Sequence, residues 1–369
     1  MERIPNITGF RFFLAVLVII FHVSEFCYKH NIPFYNSLPI FHKGFEAVCV
    51  FFSLSGFLII RQMYIERTIS KTISLKNFYL RRAFRIFPLY FLILFFGLTY
   101  YNFILPNMGY IGGYNTNYNL IEGVLLSVFF MPNVFAILYR PGGIIEILWS
   151  IGIEEQFYLF IAPVLLFLPT RKIIPFLLGF TIVFFLIYFN VEGNILYKYS
   201  MLFFYFTSSG IVSILLLKHP QLFDNKLVTS IVVTIFILYF STNYFVNLFS
   251  NCNYHLFSML LFCIVIGILS CKPYFILNHR TTTYLGKISY GIYLYHAIVI
   301  QFIGLIYIKF FSNLGLDYYL TVLVYNSMVL LATICISHFS YQYFEKFFMN
   351  LYHHKSLSIK KLPSKPLKS

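Results

Sequence analysis

The stretch Ile7–Cys27, ITGFRFFLAVLVIIFHVSEFC, is apolar enough to enter a bilayer, yet carries Arg11 near one end and His22 well inside. An ionisable residue at bilayer depth is costly unless it faces protein, water or a partner. Eleven residues at about 100° each turn the helix through about 1100°, three turns plus a small remainder. Arg11 and His22 therefore share one helix face, about 16 Å apart along the axis. That face offers a permanent cation near one membrane surface and a titratable base deeper in. Taken singly, Arg11 could snorkel to lipid phosphates and His22 could be a packing residue. The pair on one face points to a site.

Outward from this helix, the rest of the chain reads as more of the same solvent class. Of 369 residues, 59% are hydrophobic and 11% charged, against about a quarter charged in a soluble domain. Apolar runs of spanning length recur from end to end, which predicts an all-α polytopic membrane bundle and argues against a β-barrel. About ten spans are expected, near 8–27, 45–61, 86–105, 149–169, 173–190, 198–217, 227–247, 255–271, 288–308 and 318–342. An even count places both termini on one side. With that side cytoplasmic, 21 of the 27 Lys and Arg fall inside, five fall outside, and Arg11 lies in the first span. This is the positive-inside asymmetry, and it accounts for the net charge of +15 without nucleic acid. A transmembrane domain over 1–345 and a basic, disordered cytoplasmic tail over 346–369 are expected. The first helix is read as retained, because no small-residue cleavage site follows its apolar core. The six cysteines form no CxxC pair, so no disulfide, metal site or nucleophile is assigned to them.

Two connections stand out. Arg61–Arg85 reads as a cytoplasmic loop with seven cations against one anion, Glu66. Within it, Arg82 and Arg85 are three apart and share a helix face at the mouth of the third span. Arginine forks match phosphate oxygens. The external segment 106–148 holds a Gly/Asn/Tyr-rich turn and then LIEGVLLSVFFMPNVFAI, an outer-surface or re-entrant helix, before the tight turn RPGG at 140–143. So long an external loop in a compact bundle is usually functional.

The fourth span opens WSIGIEEQFYLF, with two carboxylates about 100° apart, Glu154 and Glu155. At most one can face the site of His22. Trp149, the single tryptophan, fits a membrane-interface anchor or a substrate contact. His296 lies in the ninth span, where Tyr293 or Tyr295 could satisfy it locally. Glu345 ends the last span, and a salt bridge to the basic loop would account for it.

Taken in order, GFRFFLAVLVIIFH, FFSLSGFLI at 51–59, NFYLRRAFRIFPLY at 77–90, WSIGIEEQFY at 149–158 and SYGIYLYH at 289–296 resemble the acyltransferase-3 family of integral membrane acyltransferases, over about 1–347. The resemblance implies transfer of an acyl group, most often acetyl, from cytoplasmic acyl-CoA to a hydroxyl of an exported carbohydrate or lipid-linked saccharide. It implies a bacterial cytoplasmic membrane. It carries activity onto Arg11 and His22, the arginine pair onto Arg82 and Arg85, and the acid of the W-S-L-x-x-E-x-Q-F-Y pattern onto Glu154. Glu155, Trp149 and His296 are then substrate-binding or structural. Ile151 replaces the usual Leu, and Glu345-Lys346-Phe347 lacks the customary proline. No extracellular hydrolase-like domain, such as some members carry, is expected within the 369 residues. Imidazole suits a general base that takes the acceptor proton, and Glu154 could orient it. Acyl-CoA enters as cosubstrate; no bound cofactor and no metal are expected. Two other classes compete. A polyprenyl-phosphate-sugar glycosyltransferase would want an acid in the first external loop, and 28–44 holds none, although Glu25 and Glu46 flank it. A secondary transporter or flippase would also use intramembrane charges, but inverted repeats and matched helix breaks would be expected, and the sequence shows none.

Overall fold

The computed structural model describes residues 4–109, 114–311 and 317–352, and these are helical throughout, with no strand among them. Arg3, the middle of the Gly/Asn/Tyr-rich turn and the tail from residue 353 lie outside the described residues. Eight helices are long and apolar enough to cross a membrane. Two shorter apolar helices, Phe203–Lys218 and Lys226–Ser241, lie where two further spans are expected.

The principal helices are α1 (Ile7–Lys29), α2 (Gly44–Ser70), α3 (Leu75–Thr99), α4 (Leu120–Val128), α5 (Pro132–Tyr139), α6 (Gly143–Glu146), α7 (Trp149–Phe167), α8 (Ile173–Asn190), α9 (Phe203–Lys218), α10 (Lys226–Ser241), α11 (Asn251–Cys271), α12 (Arg280–Lys287), α13 (Ser289–Ile306) and α14 (Tyr318–Phe339). The tightest pairing is α2 against α9. Its reason is compositional: glycines on both helices face the partner, Gly56 of α2 against Phe206 of α9 and Gly210 of α9 against Ile60 of α2. Small residues let helix backbones approach, and in lipid that contact is the main source of helix association. Gly56 sits directly under the Phe206 carbonyl; a Cβ there would lie 2.1 Å from its oxygen. On the other side, α1 packs on α2, α12 and α13, and α13 packs on α14.

The expected basic loop over 61–85 is mostly helix. α2 runs to Ser70, Lys71 turns it off in the left-handed region (φ 58°), and α3 begins at Leu75. Glu66 accepts the Ser74 amide at 2.8 Å and closes the turn. The third span therefore starts about ten residues earlier than its apolar run. Charge marks where apolarity stops, not where helix stops. Arg82 and Arg85 consequently sit in the third turn of α3 rather than in a loop.

The segment expected to be external forms a helical hairpin. Asn119 caps α4 by accepting the amides of Ile121 and Glu122. The chain reverses at Phe129–Met131 and returns as α5. Tyr90, fifteen residues into α3, donates to the Ser127 carbonyl at 2.8 Å. Gln156, seven residues into α7, donates to the Phe130 carbonyl at 2.6 Å and to Asn133 at 2.9 Å. The tip thus reaches about 10 Å along α7 from its start. Phe130 holds an unfavourable φ of 58° there, and Arg140 (φ 48°) and Gly142 (φ 115°) make the turn into α6.

After α14 a π-turn over Ser340–Glu345 leads into helix that continues to Tyr352. Residues 346–352, expected as the start of a disordered tail, are helical. Glu345 is buried. It accepts from Ser340 at 3.3 Å, and its carboxylate lies against Gly291 of α13. Among the described residues no cation is within ion-pair distance of it. The expected salt bridge is replaced by helix packing.

Candidate functional site

A cleft of about 670 Å³, its open mouth included, lies at the centre of the bundle. Three elements deliver its charged groups. Arg11 comes from the first turns of α1, Arg82 and Arg85 from α3, and Glu154 from α7. Phe51 and Phe52 of α2 and Tyr290 and Tyr293 of α13 close its apolar walls. Arg85 is exposed although it sits inside the bundle, so the cleft is accessible to water.

The electrostatics of this cleft are unbalanced. Three guanidinium groups face one carboxylate. Glu154 is engaged by hydroxyls: Ser55 donates to Oε1 at 2.9 Å and Tyr158 to Oε2 at 2.7 Å. Arg82 lies over the Tyr158 ring, 5.1 Å from its centre. Among the described residues none of the three arginines makes a hydrogen bond or ion pair, and Arg11 Nε is buried without a partner. A buried donor left unpaired is costly, and Arg11 Nε is one. The cleft is therefore built to receive an anion, and planar forks favour phosphate or carboxylate.

The two acids of the fourth helix separate as their 100° offset requires. Glu154 lines the cleft. Glu155 turns away, is buried, and leaves Oε1 without a partner. Neither contacts His22. The carboxylate of His22 is Glu25, one turn along the same helix, with Oε2 3.0 Å from Nδ1. A carboxylate only accepts, so Nδ1 carries a proton, and in the neutral ring Nε2 is then the lone pair, the tautomer a general base needs. The sequence shows this spacing, i to i+3, but Glu25 reads there only as a residue flanking the first external loop.

His22 does not line the arginine cleft. It stacks on His296 of α13, ring centres 5.2 Å apart. His296 is completely buried. Its Nδ1 bonds the Tyr293 backbone carbonyl, not a tyrosine hydroxyl. The Tyr293 hydroxyl instead meets Ser150 at 2.7 Å and donates to the Ile147 carbonyl at 3.0 Å. Tyr295 donates to Ser340. Tyr293 thus borders both places: its hydroxyl end belongs to the cleft wall, and its ring lies 5.7 Å from that of His296. Trp149 stacks parallel to Phe45 at 6.1 Å and meets the edge of Phe52. The helix face read from Arg11 to His22 therefore links two sites, the cationic cleft and the histidine pair.

Residues 4–341 match the acyltransferase domain of the acyltransferase-3 family. The chain belongs to that family. It is 27% identical over 166 residues to the peptidoglycan O-acetyltransferase OatA of Listeria monocytogenes, covering 43% of this chain and 23% of that one. A Staphylococcus aureus protein named provisionally as an O-acetyltransferase is 24% identical over 348 residues, 84% of this chain and 52% of its own. A protein of Acidianus two-tailed virus, named provisionally as an acetyltransferase, is 25% identical over 314 residues, 82% of this chain and 85% of its own. The chain thus spans about half, or less, of the first two relatives. No solved structure matches it.

Proposed function

We propose that this acyltransferase moves an acyl group, in the first instance acetyl, from acyl-CoA to a hydroxyl of an exported or surface glycan. One observation carries the donor: three arginines that, among the described residues, make no hydrogen bond or ion pair converge on one cleft beside a single carboxylate. Acyl-CoA brings several phosphates to such a place. Arg82 and Arg85 hold them, and Arg11 holds the phosphate or the developing charge nearer the thioester. His22, held in its basic tautomer by Glu25, takes the proton of the acceptor hydroxyl as that oxygen attacks the thioester carbonyl. Glu154 organises the cleft through Ser55 and Tyr158 rather than the imidazole. The acceptor approaches from the outer end, where Glu25 is exposed. On this reading both termini lie in the cytoplasm of a bacterial cell, which the charge asymmetry supports.

The donor assignment is tested with purified protein in lipid nanodiscs. Arg82→Ala and Arg85→Ala are each expected to weaken acetyl-CoA binding about tenfold or more, the worth of one charge-assisted contact. Equilibrium dialysis with radiolabelled acetyl-CoA reads this directly; unchanged binding in both variants would remove the cleft as the donor site. Glu25→Gln keeps the shape of the side chain but lets an amide donate toward Nδ1, favouring the wrong tautomer. It is expected to slow transfer by about 10²-fold or more with donor binding intact, measured as label transferred at saturating donor.

A further inference from the structure

His296 carries a tautomer that the structure fixes. Its Nδ1 bonds the carbonyl of Tyr293. A carbonyl only accepts, so the proton is on Nδ1 and Nε2 is a lone pair. That Nε2 is fully buried and has no partner. The ring it belongs to lies against His22, tilted by 29°, close enough for the two imidazoles to interact electrostatically. His22, bonded through Nδ1 to Glu25, also presents a lone pair at Nε2. Two lone pairs cannot bond each other, and no hydrogen bond joins the rings. A buried acceptor left unpaired is unfavourable, and such groups call for an explanation. A single proton arriving on His22 Nε2 would resolve it.

We propose that His296 is a positioning residue for the transfer step: its unpartnered Nε2 accepts the Nε2–H of His22 once His22 has taken the proton of the acceptor hydroxyl. The pair is unbonded at rest and bonded in the protonated state. An interaction made only on the way to the transition state is the kind that raises kcat. The step balances. The acceptor O–H bond breaks and its proton goes to His22. The acceptor oxygen bonds the acyl carbon, and the carbon–sulfur bond breaks with its electron pair leaving on the CoA thiolate. The proton stays on His22, between Glu25 and His296, until the thiolate takes it. His22, partly exposed, is the ring that turns; His296 is held by Tyr293 and by complete burial. This inference rests on the reading of His22 as the base and adds a second imidazole to it.

Two substitutions separate the proposal from simple packing. His296→Phe keeps a flat ring and most of the volume but has no acceptor. His296→Gln loses the ring but keeps an acceptor oxygen. Inside-out vesicles from the host strain, lacking its own copy and carrying each variant at equal protein level, are supplied with radiolabelled acetyl-CoA, and label in alkali-labile ester is counted. His296→Phe is expected to transfer about 10- to 100-fold more slowly, the worth of one hydrogen bond to a charged group, with acetyl-CoA binding unchanged. His296→Gln is expected to recover part of the rate. Packing alone predicts the reverse order, with Phe the better replacement; that order, or a wild-type rate in His296→Phe, overturns the proposal. His22→Ala run beside them keeps the two readings apart. Transfer by His22→Ala, or none by the wild-type chain, removes the base assignment itself. An inactive His22→Ala with a fully active His296→Phe removes only the role of His296.

Discussion

Replacing His22 by alanine is expected to cut acyl transfer by about 10²- to 10⁴-fold, the usual worth of a positioned general base. Binding of acetyl-CoA is expected to stay within about a factor of two, as for a group that acts in the chemical step alone. The separation follows from the two sites. On the proposed reading the donor's phosphates are held in the cleft of Arg11, Arg82 and Arg85, and His22 is not part of its lining. It lies about 16 Å farther along α1, beside Glu25 and His296. Arg11→Ala is the contrasting variant. It removes a cleft cation, so donor binding should fall together with transfer. The measurement is label transferred and label bound for each variant, with protein level in the membrane matched. If His22→Ala, normally expressed, acylates at the wild-type rate, the mechanism has no base. If it loses donor binding as severely as Arg11→Ala, the two sites are one, and the division of labour along α1 is wrong.

That face of α1 was legible because it is a local pattern. An arginine and a histidine eleven residues apart in an apolar run can be placed on one side of a helix by arithmetic. The same is true of the i, i+3 pair Arg82 and Arg85, and of the split between Glu154 and Glu155. What could not be read was which distant groups meet these faces. Ser55 reaches Glu154 across 99 residues of sequence, and His296 reaches His22 across 274. Lys43 illustrates the same limit. In the sequence it is one of five outer cations; in the fold it is buried, paired with Glu46 at 3.3 Å and with the Tyr254 hydroxyl at 3.0 Å. The helix boundaries failed for a different reason. Apolar runs report the hydrocarbon-facing part of a span, while α3 begins eleven residues before its run does, carried by arginines that are good helix formers. Glu25 was visible and misread, because its position near a loop outweighed its one-turn spacing from His22.

Gly286→Ala should be among the most damaging substitutions in the chain although it adds one methyl group at a residue that does not line the cleft. Gly286 lies in α12 with its Cα against the backbone of α1. A Cβ there would stand 1.6 Å from the Thr8 carbonyl oxygen and 2.4 Å from its carbon. Ordinary contact is about 3.5–4.0 Å, so the helices must separate by roughly 2 Å. No rotamer change relieves this, because both sides of the clash are main chain. Retreat is blocked from behind as well: Gly9, the next residue of α1, is pressed on the Leu277 carbonyl, where a Cβ would meet the oxygen at 2.1 Å. Asn6 ties the same foot down, its Nδ2 donating to the carbonyls of Leu269 at 2.6 Å and Lys272 at 2.7 Å. The first turn of α1 is thus clamped, and Arg11 leaves it two residues later. Moving that turn moves the guanidinium out of the cleft, and an error of about 1 Å at a reacting geometry can cost about 10²-fold. Gly286→Ala is expected either to lower the melting temperature of the purified protein sharply, consistent with a loss above about 4 kcal/mol, or to fold with α1 displaced and transfer slowed by about 10²-fold or more. Gly179→Ala is the control. It changes a helical glycine with open space around its Cβ position, where alanine is favoured by up to about 1 kcal/mol. A Gly286→Ala protein with wild-type melting and wild-type transfer would mean that α1 and α12 are not held backbone to backbone, and that the placement of Arg11 depends on something else.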